Sequence, residues 1–246
     1  MDKVDVLGVM FDAVTMDEAV ERAIGLKGYI VTPNAEIAYA CYKDPKYLET
    51  VNGAGLVVPD GVGIIKGARI LKRPLKERVP GVELGENLLP KMAEKELSLY
   101  ILGGKPGVAE RAASRFKEKY PGLIIAGTAD GYFKDDGEVI GKINESGADV
   151  CFVCMGAPKQ EYWMRENIGK LKVGLLLGLG GAVDVYAGDA VRAPKIFIKL
   201  GLEWFYRLLT QPARIGRIAK RLPPFVFAVR AQRRRENMEG RKNGRE

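Results

Sequence analysis

Histidine is absent from all 246 residues. That removes Ser-His-Asp and Cys-His nucleophilic catalysis, and with them most zinc sites. Cysteine is scarce: Cys41, Cys151 and Cys154 are the full set. The last two form a C-x-x-C inside the apolar run VCFVCMG. On a strand, residues three apart point to opposite faces, so these two read as small buried hydrophobes rather than a redox pair. No segment has the ~18 consecutive apolar residues of a membrane span. The start, MDKVDVLGVMFD, carries acids where a signal peptide carries bases, so the expected location is the cytoplasm. Phosphate fingerprints are missing too. There is no G-x-G-x-x-G with a following acid in register, no G-x-x-x-x-G-K-[ST], and no Asp-x-Asp to hold a divalent ion beside a diphosphate. The chain thus implies no cofactor and no metal, and leaves any diphosphate to arginine.

What is present is a core-sized apolar fraction, 47%, and an uneven charge. The net charge is +8, but residues 195–246 hold 14 Lys/Arg against 4 Asp/Glu, so the rest of the chain sits at −2. A basic tail on a near-neutral body points to an anionic partner, either nucleic acid or an anionic membrane surface.

Short apolar runs alternate with amphipathic stretches. Residues 4–11 read as a first strand, and Thr15 with Glu18 forms a capping box before a helix ending near Gly28. Strands follow at 29–31, 56–58, 97–102, 123–127, 149–155 and 173–179, with helices between them. This alternation predicts an α/β fold, a Rossmann-like doubly wound and mostly parallel sheet over residues 1–190. Residues 191–246 form a basic, amphipathic, helical appendage. Within it, Lys195–Leu209 is crowded with aliphatic and aromatic residues, and Pro212 opens a helix with Arg214, Arg217 and Arg221 on one face. After Pro223-Pro224 come FVFAV and a basic cluster, Arg230, Arg233, Arg234 and Arg235, beyond which the residues read as disordered.

The stretch GLVVPDGVG at Gly55–Gly63 carries the clearest chemical signal. Leu56–Val58 suits a buried parallel strand, Pro59 ends its ladder, and Asp60 then stands at the strand's carboxyl end, where ligands of open α/β sheets collect. At ordinary acidity an Asp is ionised at pH 7 and can act as a general base. The competing reading makes Asp60 the cap of the helix at 62–71. Thr32, Asn34, Arg78 and Gln160 sit at other strand ends or adjoining loops. Turn and capping chemistry accounts for Thr32 and Asn34, solvation for Arg78, and a helix's first turn for Gln160. Read functionally, the Arg78 fork matches phosphate and the Gln160 amide a sugar or nucleotide. Glycines at 103–104 and 178–181 suit backbone contact with a phosphate.

Several motifs occur together and in order: TPNAEI at 32–37, VVPDGVGI at 57–64, RVPG at 78–81, DGYF at 130–133, GAPKQE at 156–161, GGAVDVYAG at 180–188 and RAPK…LGLEWFYRLL at 192–209. As an ordered set they resemble the TagA/WecG/CpsF family of bacterial glycosyltransferases. The resemblance implies a peripheral enzyme on the inner face of the membrane. It would move N-acetylmannosamine from a UDP-sugar donor to N-acetylglucosamine on undecaprenyl diphosphate, with inversion to a β-1,4 linkage and without metal. WecG-like members use a uronic acid donor and CpsF-like members galactose. By the same resemblance Asp60 is the base, Thr32, Asn34, Arg78 and Gln160 line the active site, and Arg207, Arg214 and Arg217 grip the lipid diphosphate. It also implies a homo-oligomer in solution when the tail is displaced, and an active monomer at the membrane. Two other classes remain open: a nucleotide-binding membrane module with Asp60 as a mere cap, and nucleic-acid binding by the tail. The latter is the weaker, because the tail's aromatics do not interleave with its bases.

Overall fold

The computed structural model describes residues 2–191, 194, 197 and 215–243, with side chains of the last stretch described over 222–239. Six parallel strands form the sheet: β3 (Gly28–Val31), β4 (Leu56–Val57), β5 (Ser98–Gly103), β6 (Ile124–Ala129), β7 (Val150–Cys154) and β8 (Leu175–Gly178). Their order is β4-β3-β8-β7-β5-β6. The chain runs outward from β3 to β4 on one side and from β5 to β6 on the other. Such opposed winding opens a crevice at the strands' carboxyl ends.

Both faces of the sheet are buried along β3, β4, β5, β7 and β8, which is why these strands read as unbroken apolar runs, whereas the edge strand β6 stays partly exposed. The period-two rule sorts their side chains into two cores. Tyr29 and Val31, Tyr100 and Leu102, Cys151 and Val153, and Leu176 enter one. Ile30, Leu99, Ile101, Phe152, Cys154, Leu175 and Leu177 enter the other. Over the second face lie α1 (Met16–Gly25), α5 (Gly81–Glu94), α6 (Val108–Lys119) and a short α9 (Ala182–Ala187). Over the first lie α2 (Ala35–Lys43), α3 (Pro45–Asn52), α4 (Val62–Ile70), α7 (Asp136–Ser146) and α8 (Lys159–Asn167). The Thr15–Glu18 capping box of α1 forms as the sequence predicts. The α/β, doubly wound expectation therefore holds.

Two expectations change. Residues 4–11 are not one strand but an antiparallel hairpin, β1 (Lys3–Val6) and β2 (Val9–Asp12), separate from the main sheet. Leu7 and Gly8 turn with φ of 58° and 87°, the left-handed pair that a two-residue hairpin turn requires. Asp12, at the hairpin's end, accepts the Val57 amide at 2.9 Å and so closes off the edge strand β4.

The second change concerns the tail. Instead of giving way to disorder beyond Arg235, a single helix α10 runs Ile215–Asn243, through Pro223-Pro224. Prolines inside a helix remove ladder bonds, so the continuity must be secured elsewhere. Phe225, Val229 and Gln232 recur at the i, i+4, i+7 spacing of one face, and all three are buried. Phe225 and Val229 join the first core. Gln232 Oε1 accepts the Leu7 amide at 2.9 Å, and Arg233 donates to the Leu71 carbonyl at 2.6 Å. Among the described residues no helix is long and apolar enough to cross a membrane.

Phe225→Ala should cost about 3–5 kcal/mol of unfolding free energy in urea titration, the range for a fully buried aromatic. Faster amide exchange confined to α10, at unchanged global stability, would instead mean that the helix is peripheral to the core.

Candidate active site

The sheet's rim is built by four strand ends. After β4 the chain stays paired with its neighbour: the Val58 amide donates to the Val31 carbonyl at 3.0 Å and the Asp60 amide to the Pro33 carbonyl at 3.2 Å. Asp60 is thereby set beside Pro33 and Asn34, half-buried at the carboxyl end of β3 and β4. The residue in the cap position of α4 is Gly61, not Asp60, and its φ is 97°. Glycine suits that left-handed geometry and lets the chain turn at once into the helix. A Cβ at Gly63 would lie 2.8 Å from Ala35 Cβ, so the starts of α2 and α4 pack almost backbone to backbone. Two helix N-termini thus converge on the same rim, a setting that favours anions.

Thr32 is buried, and its hydroxyl donates to the Gly178 carbonyl at 3.1 Å, tying the end of β3 to the end of β8. The Arg78–Gly81 loop lies against it. The Val79 amide donates to the Pro59 carbonyl at 2.9 Å, and a Cβ at Gly81 would meet Thr32 Oγ1 at 2.9 Å. Arg78 and Asp60 therefore flank one backbone bridge. Arg78 also lies 3.9 Å from the Glu83 carboxylate, a distance at which a half-exposed pair contributes little.

The structure brings Thr32, Asn34, Asp60, Arg78 and Gln160 to this one rim, in different roles. Asn34 Oδ1 accepts the Glu36 and Ile37 amides at 2.9 and 3.1 Å and caps α2. Gln160 is 2% exposed with both ends of its amide engaged: Oε1 accepts the Gly180 amide at 2.8 Å, and Nε2 donates to Glu161 Oε1 at 2.8 Å. Arg207 and Arg214 lie outside the described residues; Arg217 lies on α10, with its side chain outside them.

Glu161 escaped the sequence reading. It is 1% exposed, and its second oxygen accepts the Tyr47 hydroxyl at 3.0 Å. Burial raises its carboxyl above the ordinary glutamate range, while hydrogen bonds from Gln160 and Tyr47 pull it back. The available signal was helical spacing: Gln160, Met164 and Asn167 share a buried stripe of α8, and Glu161 adjoins it. On the opposite side of the crevice the Asp130–Asp135 loop approaches Gly104, through the Gly131 amide to the Gly104 carbonyl at 2.9 Å. Lys159 donates to the Gly131 carbonyl at 2.9 Å and stacks over Phe133, and Tyr132 at the loop's tip is 67% exposed.

Among the described residues no three His, Cys, Asp or Glu side chains gather as a metal ligand set. What the rim offers is a carboxylate, a guanidinium, a buried hydroxyl and glycine-rich turns, a combination suited to group transfer with an anionic leaving group.

A sequence model of the WecG/TagA/CpsF glycosyl transferase family matches residues 4–239. The chain belongs to that family. Two relatives of this glycosyl transferase are named N-acetylglucosaminyldiphosphoundecaprenol N-acetyl-beta-D-mannosaminyltransferase. The one from Bacillus spizizenii is 38% identical over 201 residues, 82% of this chain and 78% of the relative. The one from Staphylococcus aureus is 36% identical over 241 residues, 95% and 94% of the two chains.

The cysteines of this family member stand apart from its rim chemistry. Cys151 and Cys154 enter opposite cores, so the C-x-x-C cannot close on itself without moving the strand. Burial pushes the Cys41 and Cys154 thiols up to about 12 and raises that of Cys151 as well. An aromatic disulfide reagent at pH 8 should therefore label no thiol in the native protein and all three in guanidinium. Rapid native labelling of any one would show that the core opens there.

Proposed function

We propose that this glycosyltransferase moves N-acetylmannosamine from a UDP donor to N-acetylglucosamine carried on undecaprenyl diphosphate, inverting the anomeric centre to a β-1,4 linkage. The observation that carries the reading is Asp60 at the carboxyl rim, one backbone bridge from Arg78, in a chain whose relatives bear that activity's name.

Inversion takes a single displacement. The Asp60 carboxylate accepts the proton of the acceptor's hydroxyl as that oxygen attacks the anomeric carbon, and the bond to the UDP oxygen breaks. A positioned base contributes roughly 10²–10⁴-fold. The remainder comes from alignment and from stabilising charge on the departing diphosphate. Arg78 is the side chain suited to that charge, with no metal taking part, since a guanidinium fork matches phosphate oxygens. The glycine turns at 103–104 and 178–181 let backbone amides approach the nucleotide. Thr32 and Gln160 keep the central turn in register.

The acceptor's diphosphate sits at a membrane surface, and the tail's bases suit an anionic leaflet. Each base near such a surface adds about 1 kcal/mol. In this reading the protein is peripheral on the inner face of the membrane. Arg207, Arg214 and Arg217 hold the lipid diphosphate, which makes turnover depend on the bilayer.

Transfer from UDP-N-acetylmannosamine to a short-chain diphospholipid acceptor should proceed undiminished in chelator. Asp60→Asn should lower turnover by about 10²–10⁴-fold and leave UDP affinity unchanged. Transfer only from another nucleotide sugar would reassign the donor. Full turnover by Asp60→Asn would remove the base.

Arg214→Glu with Arg217→Glu should weaken transfer to the lipid acceptor while UDP binding persists. Equal activity on vesicles with and without anionic lipid would overturn the membrane linkage.

A further inference from the structure

One feature of the rim has a cost that packing alone does not account for. Glu161 is buried at 1% exposure, and two neutral donors bond to it, Gln160 Nε2 at 2.8 Å and the Tyr47 hydroxyl at 3.0 Å. Among the described residues it forms no ion pair. Its place in the first turn of α8 helps, because the helix's positive end faces it. An apolar side chain of similar volume would spare the desolvated carboxyl but leave the Tyr47 hydroxyl and Gln160 Nε2 without an acceptor.

What an apolar side chain could not do is orient its neighbour. A side-chain amide has a donor end and an acceptor end, and its environment decides which way it points. Both Glu161 oxygens accept here, one from Tyr47 and one from Gln160, so Gln160 turns Nε2 toward Glu161. Oε1 then faces the Gly180 amide and accepts it at 2.8 Å. The reversed amide would set donor against donor at Gly180 and carbonyl against carboxylate at Glu161. Gly180 holds the turn after β8 with φ of 57°, and two residues earlier the Gly178 carbonyl accepts the Thr32 hydroxyl. A line of directed bonds thus runs from Tyr47 on α3 through Glu161 and Gln160 to the glycine turn, whose other end is fixed by Thr32.

We propose that Glu161 is a positioning residue: by fixing the polarity of the Gln160 amide, it holds the Gly178–Gly181 turn in the shape that receives the diphosphate of the nucleotide donor. This rests on the UDP-donor reading above.

Calorimetric titration with UDP, alongside thermal melting and steady-state transfer, tests it. The wild-type protein should bind UDP; no binding would sink the donor reading itself. Glu161→Gln, with both a donor and an acceptor end, loses the polarity control. It should melt near the wild-type temperature, bind UDP about tenfold more weakly and raise KM for the donor more than it lowers kcat, a loss of the size seen for coupled neighbours. Gln160→Ala should show a similar loss, and the double variant should be no worse than Gln160→Ala alone. Wild-type affinity in Glu161→Gln, or losses that multiply in the double variant, would overturn the proposal. Should Glu161→Gln not fold, Tyr47→Phe with Glu161→Met removes the carboxylate and the hydroxyl that needs it, leaves an apolar fill, and is held to the same two outcomes.

Discussion

Burial of both faces of a parallel sheet, across every strand but the edge strand β6, is the constraint from which the other features follow. Side chains alternate into two cores, and the ladder satisfies the backbone between them. Polar chemistry is thereby driven off the faces and onto the ends of the strands. At the carboxyl ends the positive poles of helix N-termini and close-approaching glycine turns gather, so a nucleotide's charge is met there. Thr32, Asp60 and Gly178–Gly181 lie within a residue or a few of a strand's last ladder bond, and Gln160 in the first turn of the helix that follows β7.

That rim is stitched by a small set of directed bonds. Asp60 to Pro33, Val79 to Pro59, Thr32 to Gly178 and Gln160 to Gly180 join loops far apart in sequence. Each places one reactive or shaping group relative to the next. The buried carboxylate of Glu161 sits behind this line and not in the crevice, which distinguishes it from Asp60 although both are acids beside strand ends. Environment, not residue type, separates a group that can meet a substrate from one that sets its neighbours.

The tail helix ties the appendage to the same scaffold. Phe225 and Val229 enter the core beneath α2 and α4, the two helices whose starts frame Asp60. A Cβ on Gly67 of α4 would lie 3.1 Å from the Phe225 ring, so the two helices are fitted closely at that point. The basic residues of α10 that face outward, Arg230 and Arg234 among them, leave its apolar stripe to the protein.

Local pattern alone settled much of this molecule. Short apolar runs marked all six sheet strands, five of them because a strand buried on two faces must be apolar throughout, and Thr15 with Glu18 marked a helix start because capping needs only neighbours in sequence. The same pattern misjudged residues 4–11, where a left-handed turn at Leu7-Gly8 looks no different from a strand interior, and the end of α10, where a highly charged run reads as disorder although the helix continues to Asn243. Tertiary structure decided what no neighbour could: that Asp60 is drawn to Pro33 and leaves the cap of α4 to Gly61, and that Glu161 and Gln160 form a relay to a turn twenty residues away. Those outcomes depend on hydrogen bonds between separate strand ends and on exclusion of water from their surroundings, and both exist only once the sheet has assembled.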